Sequence, residues 1–300
     1  MLLFHHQSLG GRLETMEIKK IGVVGGGQMG SGIAELTLIA GFMTLMSDIT
    51  PEALEKGRKR IAVDFERRVQ KGKMGTEDRK NMLERLSTTT QMEDFRDSDF
   101  VIEAAAEQVS LKQEIFQTLD KVTRKEVILA SNTSSISITR IASFTNWPAR
   151  VIGMHFFNPP PVMQLIELIR GLATSDETFQ TVKELSRQLG KTPIEAKDFP
   201  GFISSRLIFN YMNEGIYALY EGLGSMEEID AIMKMGANHP MGPLELADLV
   251  GLDTVLSVMK VLQEAFGDRY HPCPLLSKHV EAGYLGVKAG RGFYHYGGKQ

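Results

Sequence analysis

Ile21-Gly-Val-Val-Gly-Gly-Gly-Gln-Met-Gly30 decides how this chain folds. The short apolar run Ile21 to Val24 ends in Gly25-x-Gly27-x-x-Gly30, and the stretch Met29 to Ala40 that follows has helical character. A second apolar run, Phe42 to Met46, leads to Asp48, eighteen residues past Gly30. Strand, glycine turn, helix, strand and acid in that order make a dinucleotide-binding fingerprint. Gly25 permits the sharp turn off the strand. Gly27, without a side chain, lets the backbone approach a pyrophosphate. Gly30 lets the helix pack closely on the sheet. The helix N-terminus, beginning at Gln28 and Met29, offers unpaired N–H groups and a partial positive charge to phosphates.

Gly25, Gly27, Gln28, Met29, Gly30 and Asp48 are therefore the cofactor-binding candidates. Asp48 would accept hydrogen bonds from an adenosine ribose and repel a 2′-phosphate. No Lys or Arg follows it before Lys56, so the reading is NAD rather than NADP. A glycine-rich turn without a ligand would leave Asp48 unexplained.

Outward from this motif the chain alternates strand and helix as far as about Ala196. Phe100–Glu103, Val127–Ala130, Val151–Met154 and Leu165–Ile169 read as strands. Leu111, Ile115, Leu119 and Val122 fall at helical spacing, as do Phe179, Val182, Leu185 and Leu189 behind an expected capping box at Thr174-x-x-Glu177. Such alternation predicts a Rossmann-type, doubly wound, mostly parallel α/β sheet covered on both faces. Pro51 to Glu84 departs from it: rich in Lys and Arg, it reads as a helical hairpin turning at Lys71-Gly-Lys-Met-Gly75. Asp198-Phe-Pro-Gly201 carries two chain breakers and marks a boundary. Beyond it, Phe202–Leu219, a helix capped by Ser225-x-x-Glu228, Pro243–Val250 and Thr254–Phe266 predict an all-helical second domain. The expected division is 16–198 for cofactor binding and 199–300 for substrate binding and dimerisation. A helical domain of this size often buries a face against a copy of itself, so a homodimer is expected.

Composition narrows the function classes. The 300 residues are 24% charged and 42% hydrophobic, ordinary for a globular chain. A net charge of −3 argues against nucleic-acid binding. The longest uncharged apolar run, Val151 to Ile166, is broken by Pro159 to Pro161, so no membrane span is expected. One cysteine, Cys273, excludes an internal disulfide and a multi-cysteine zinc site, and fits a reducing cytoplasm. No metal is expected. Residues 1–15 read as a disordered extension, an upstream start codon or a cloning remnant, with His5 and His6 outside the function.

Ligands of open α/β sheets bind at the C-terminal strand ends. Two loops there carry chemistry. Ser131-Asn-Thr-Ser-Ser135 could cap the next helix, near Ile136, or aim a hydroxyl at a substrate oxygen. Met154-His-Phe-Phe-Asn-Pro-Pro-Pro161 places a histidine at a strand end before a rigid proline run. Imidazole exchanges a proton near neutral pH. Glu167, twelve residues on in Gln-Leu-Ile-Glu-Leu-Ile, sits among apolar neighbours, where a carboxylate is costly unless paired. Pairing with His155 would remove that cost and orient the ring; an exposed position on a half-buried strand is the alternative.

Taken together, Gly25–Gly30, Ser131–Ser135, His155-Phe-Phe-Asn-Pro159, Asp198–Phe202, His239-Pro-Met-Gly-Pro-Leu-Glu245 and Gly290-Arg-Gly-Phe-Tyr294 resemble the L-3-hydroxyacyl-CoA dehydrogenases, over about Lys19 to Tyr296. The bacterial 3-hydroxybutyryl-CoA dehydrogenase branch fits best. The resemblance implies NAD-dependent, reversible oxidation of a short-chain (S)-3-hydroxyacyl-CoA. It implies that His155 is the base for the 3-hydroxyl proton, that Glu167 steadies the imidazolium and that Ser134 binds the 3-oxygen. It further implies Asn158 near the thioester, Glu107, Lys112 and Asn132 about the NAD site, and Lys71 on the coenzyme A phosphates, with Arg67, Arg68 and Lys73 as looser candidates. The family pattern Pro-Gly-Phe-x-x-Asn-Arg reads Pro200-Gly-Phe-Ile-Ser-Ser205-Arg206 here, so Ser205 replaces an Asn and stands as a substrate contact in question. Two alternatives remain: a dehydrogenase of a non-CoA hydroxy acid on the same fold, as in gulonate dehydrogenases and related crystallins, and a non-catalytic NAD-binding protein.

Overall fold

The computed structural model describes residues 17–297; the expectation for residues 1–15 lies outside them. The sheet contains eight strands: β1 (Lys20–Val24), β2 (Met43–Ser47), β3 (Leu86–Thr89), β4 (Phe100–Glu103), β5 (Ile128–Ser131), β6 (Val151–Phe156), β7 (Leu165–Arg170) and β8 (Thr192–Lys197). Their order is β3-β2-β1-β4-β5-β6-β7-β8, and every pairing is parallel except β6 with β7. The central strands are apolar at nearly every position because both faces are covered. Ile21, Val23, Phe100, Ile102 and Ile152 are buried on one face with α1 (Gln28–Ile39), α2 (Pro51–Gln70) and α6 (Asp176–Gln188). Val24, Val101, Leu129 and Val151 are buried on the other with α4 (Val109–Val122) and α5 (Ile138–Ala142). Each such side chain contributes about 1.5–3 kcal/mol on burial.

The glycine turn follows β1, where the strand order reverses between β1 and β4, the place where an open sheet leaves a crevice. Gly25 has φ +107°, and a Cβ at Gly30 would lie 1.8 Å from the Gly25 carbonyl oxygen. Two of the three glycines are therefore required by the backbone itself. A Cβ at Gly27 would meet nothing within 4 Å, so that position opens onto free space.

The hairpin is present as α2 and α3 (Thr76–Glu84), with the turn at 71–75. Leu54, Gly57, Ile61 and Phe65 bury one face of α2, and the basic residues line the other. Strand β3 escaped the sequence reading because only Leu86 of its four residues is buried. The α6 cap also differs from expectation. Ser175, not Thr174, accepts the Thr178 N–H, while the Thr174 hydroxyl is spent on the Val151 carbonyl between strands. Likewise α5 starts at Ile138 rather than near Ile136. Ser137 caps it, accepting from the Arg140 N–H, and Asp198 accepts from the N–H groups of Ile138 and Thr139.

From α7 (Ser204–Tyr220) onward every regular element is helical: α8 (Met226–Gly236), α9 (Pro243–Val250), α10 (Leu252–Phe266) and α11 (Pro274–Glu281). The capping box at Ser225 and Glu228 is formed. Two buried carboxylates account for the last sequence motifs. Asp230 accepts from the first N–H groups of α9, and Asp248 accepts from the N–H groups of Phe293 and Tyr294, pinning the terminal segment. Burial followed by the Asp230 contact pushes the Tyr294 phenol upward, keeping it a donor.

Candidate active site

His155 and Glu167 face each other across the antiparallel β6–β7 pair. His155 Nδ1 lies 3.0 Å from Glu167 Oε2, and the residues are 8% and 2% exposed, so the pair is largely removed from water. The Phe157 and Phe202 rings flank the imidazole, with centroids 4.9 and 6.1 Å away. His155 lies within β6 rather than just beyond it, because the strand runs two residues further than its apolar core.

Glu167 has more partners than the sequence suggested. Its Oε1 accepts from the N–H groups of Ile203 (3.1 Å) and Ser204 (3.0 Å), and the Ser204 hydroxyl donates to Oε2. These donors come from the start of α7, which has no side-chain cap of its own. Gly201 and Phe202 take left-handed φ values of 75° and 47° to deliver them. For Phe202 such a conformation costs on the order of 1–3 kcal/mol, offset by burial of its ring. Burial alone would raise the Glu167 carboxyl. The hydrogen bonds from His155 and Ser204 outweigh it and hold the group below its ordinary value.

The serine loop after β5 is built on another carboxylate. Glu107 accepts from the Thr133 hydroxyl (2.6 Å) and the N–H groups of Ser134 (2.9 Å) and Ser135 (3.0 Å). Burial raises the Glu107 carboxyl, but Lys112 and these donors hold it low. The Ser134 hydroxyl rests only 3.3 Å from the same oxygen, a weak contact that leaves it able to turn to another acceptor. Lys112, which the resemblance puts about the NAD site, is held by carboxylates. It is buried against Glu103 (2.6 Å) and Glu107 (3.4 Å) and supports the loop from behind. Glu103, which the sequence reading passed over, also accepts from the Ala105 N–H and the Ser131 hydroxyl. Its strand pattern, three apolar residues ending in an acid, was the available signal.

Contacts join these loops in a ring. The Asn132 side chain accepts from the Phe156 N–H at 2.8 Å, tying the serine loop to the strand that carries His155. Ser205, 2% exposed, donates to the Ser134 carbonyl at 3.1 Å. The residue in the family's Asn position therefore braces the serine loop. Gln28 at the start of α1 donates to Asn158 at 3.0 Å, joining the glycine turn to the loop after His155.

The cofactor candidates fit a dinucleotide. Asp48 accepts from the Gly26 N–H (2.7 Å), which puts its carboxylate beside the turn. Gly27 caps α1 without a side chain, and the first turn of the helix holds no acid. The helix's leading N–H groups are thus free for phosphate oxygens in the open space there. The hairpin candidates separate: Lys71, Arg67 and Lys73 are exposed, but Arg68 is committed to Asp64 and Glu35, both at 2.8 Å, and leaves the set. A groove of about 350 Å³ between α2 and α3, lined by Lys59, Arg67 and Arg79 among others, lies on the hairpin and includes neither member of the dyad.

Comparison with known proteins gives two family matches in tandem. The NAD binding domain of 3-hydroxyacyl-CoA dehydrogenase matches residues 20–199, and the C-terminal domain of the same enzyme matches residues 201–296. A probable 3-hydroxybutyryl-CoA dehydrogenase of Bacillus subtilis is 54% identical over 94% of this chain and 98% of its own length. A 3-hydroxybutyryl-CoA dehydrogenase of Clostridioides difficile is 45% identical over 92% and 99%. The crystal structure of (S)-3-hydroxybutyryl-CoA dehydrogenase from Ralstonia eutropha superimposes with a TM-score of 0.90 at 48% identity, covering 94% of this chain and all of that one.

Proposed function

The chain belongs to the 3-hydroxyacyl-CoA dehydrogenase family, and from that premise we propose that it interconverts (S)-3-hydroxybutyryl-CoA and acetoacetyl-CoA with His155 as the acid–base group. It is an NAD-dependent oxidoreductase acting on the CH–OH carbon of 3-hydroxyacyl-CoA. NAD, when bound, supplies the hydride acceptor. The protein's part is to hold the carbinol and move its proton. The observation that carries the proposal is the buried 3.0 Å pair of His155 and Glu167, at the strand ends that also carry the glycine turn.

During oxidation, Nε2 of His155 takes the 3-hydroxyl proton while Nδ1–H donates to Glu167. In reduction the same nitrogen returns it. Glu167, kept ionised by its donors, stabilises the imidazolium and fixes the tautomer. The Ser134 hydroxyl turns from Glu107 to the substrate's 3-oxygen, and Asn158 sits toward the thioester. Glu107 and Asn132 border the nicotinamide end, with Lys112 behind them. Lys71, with Arg67 and Lys73, meets the coenzyme A phosphates. Residues 16–198 carry the cofactor and 199–300 close over the substrate. A homodimer forms through the second domain, supported by exposed Leu207, Leu223, Ile232, Met235 and Leu249. A cytoplasmic setting is supported by the single, free cysteine; no helix among the described residues is long and apolar enough to cross a membrane.

The test is purified protein with NADH and acetoacetyl-CoA or free acetoacetate, followed at the NADH absorbance. Rapid oxidation with the thioester and little with the free acid is expected. Preference for the free acid would favour a non-CoA dehydrogenase, and tight NADH binding without turnover a non-catalytic protein.

A further inference from the structure

Glu167 has three donors besides the imidazole, and all three come from Ile203 and Ser204, where α7 begins. Two are backbone N–H groups that any sequence would offer. The third is the Ser204 hydroxyl, which shares Oε2 with His155 Nδ1. That oxygen divides its charge between the ring and the hydroxyl. We infer that Ser204 is a positioning residue: by holding Glu167 Oε2 from the helical domain, it sets how strongly the carboxylate draws a proton onto His155. The inference rests on the reading of His155 as the acid–base group.

The surroundings leave few other influences on the pair. Strand β8 places Ile194 in register with Glu167. The Phe157 and Phe202 rings cover the imidazole. Strand β6 contributes His155 itself, β7 contributes Glu167, and the start of α7 contributes Ser204 with Ile203 just before it. Among the described residues no other charged side chain is hydrogen-bonded to either member. The neighbouring Ser205 turns the other way, onto the Ser134 carbonyl. Adjacent serines on one helical turn thus hold the two sides of the site: one steadies the base, the other the loop bearing the proposed oxygen ligand. Docking of the second domain on the sheet therefore completes the electrostatics of the dyad.

Below the imidazole's pKa the base is protonated and alcohol oxidation stops, giving the acidic limb of kcat/KM. Removing the Ser204 hydroxyl leaves Oε2 to the imidazole alone. The imidazolium is then better stabilised and the limb moves to higher pH. The test measures kcat/KM for (S)-3-hydroxybutyryl-CoA oxidation across pH in wild type, Ser204→Ala and Ser204→Thr, with NADH affinity measured for each.

Ser204→Ala is expected to raise the acidic midpoint by ~0.5–1 unit, since hydrogen bonds to a charged group are the stronger kind. NADH affinity is expected to stay within about twofold, because the glycine turn is untouched. Ser204→Thr, which keeps the hydroxyl, is expected to restore the wild-type midpoint. An unmoved or lowered midpoint in Ser204→Ala, or a Thr variant that behaves like Ala, overturns the inference. His155→Gln, measured alongside, separates the two readings. If it keeps wild-type turnover, the acid–base assignment fails. If it is inactive while the Ser204→Ala profile is unchanged, only the role of Ser204 fails.

Discussion

Glu167→Gln isolates the charge of the dyad from its shape. Glutamine keeps one oxygen, which can still accept from the Ile203 and Ser204 N–H groups, so α7 stays docked. Its amide nitrogen then replaces Oε2 and meets His155 Nδ1 at the 3.0 Å now occupied by the carboxylate contact. Two donors cannot face each other, so the imidazole must present an unprotonated Nδ1 and carry its proton on Nε2. That tautomer cannot take a proton from the alcohol. The charge is lost as well. At an effective dielectric of about 20, unit charges ~4 Å apart interact by about 4 kcal/mol. At ~1.4 kcal/mol per decade, this corresponds to a loss of about 10³-fold in turnover. The assay is the initial rate of NADH formation with saturating (S)-3-hydroxybutyryl-CoA and NAD, beside a fluorescence titration of NADH binding. Turnover within about threefold of wild type, with binding intact, would refute the argument, because neither tautomer nor charge would then matter.

Other expectations test the scaffold. Gly30→Ala places a methyl 1.8 Å from the Gly25 carbonyl oxygen. It is expected to cost about 1–3 kcal/mol, read as a lower Tm, together with weaker NADH binding. Unchanged Tm and affinity would contradict the close approach. Burial, then the Asp64 carboxylate, push Glu35 up to about 8. The folded state binds this proton more tightly than the unfolded chain, so its contribution is full below the ordinary carboxylate range and is lost as pH rises through about 8. Glu35→Gln should therefore flatten the fall in Tm over that window, and a fall as steep as wild type would sink the assignment.

Much of this architecture was legible because it follows from backbone needs. The glycine turn and the buried strands β1, β4 and β5 admit few residues, and those residues were present. Strand β3 was not legible: its pairing depends on β2 beside it, not on its own apolar content. The His155–Glu167 pair was readable because a carboxylate between Ile166 and Leu168 needs a partner. Ser204 and Glu103 were not. Ser204 acts through a helix start brought to β7 by two left-handed residues, and Glu103 through partners drawn from Ser131 and Lys112. Arg68 and Lys112 show the converse. The resemblance put them near ligands, and the carboxylates that the fold places against them were not legible from their positions in the chain. Ser205 likewise marked a departure from the family, while its role came only from the carbonyl of Ser134.

The proposed chemistry turns on a proton moving through His155. The most direct measurement is the single-turnover rate of acetoacetyl-CoA reduction by NADH in His155→Gln against wild type, with both ligands saturating. A drop of about 10²–10⁴-fold at unchanged NADH affinity is expected for loss of a general acid. A rate equal to wild type would contradict the assignment.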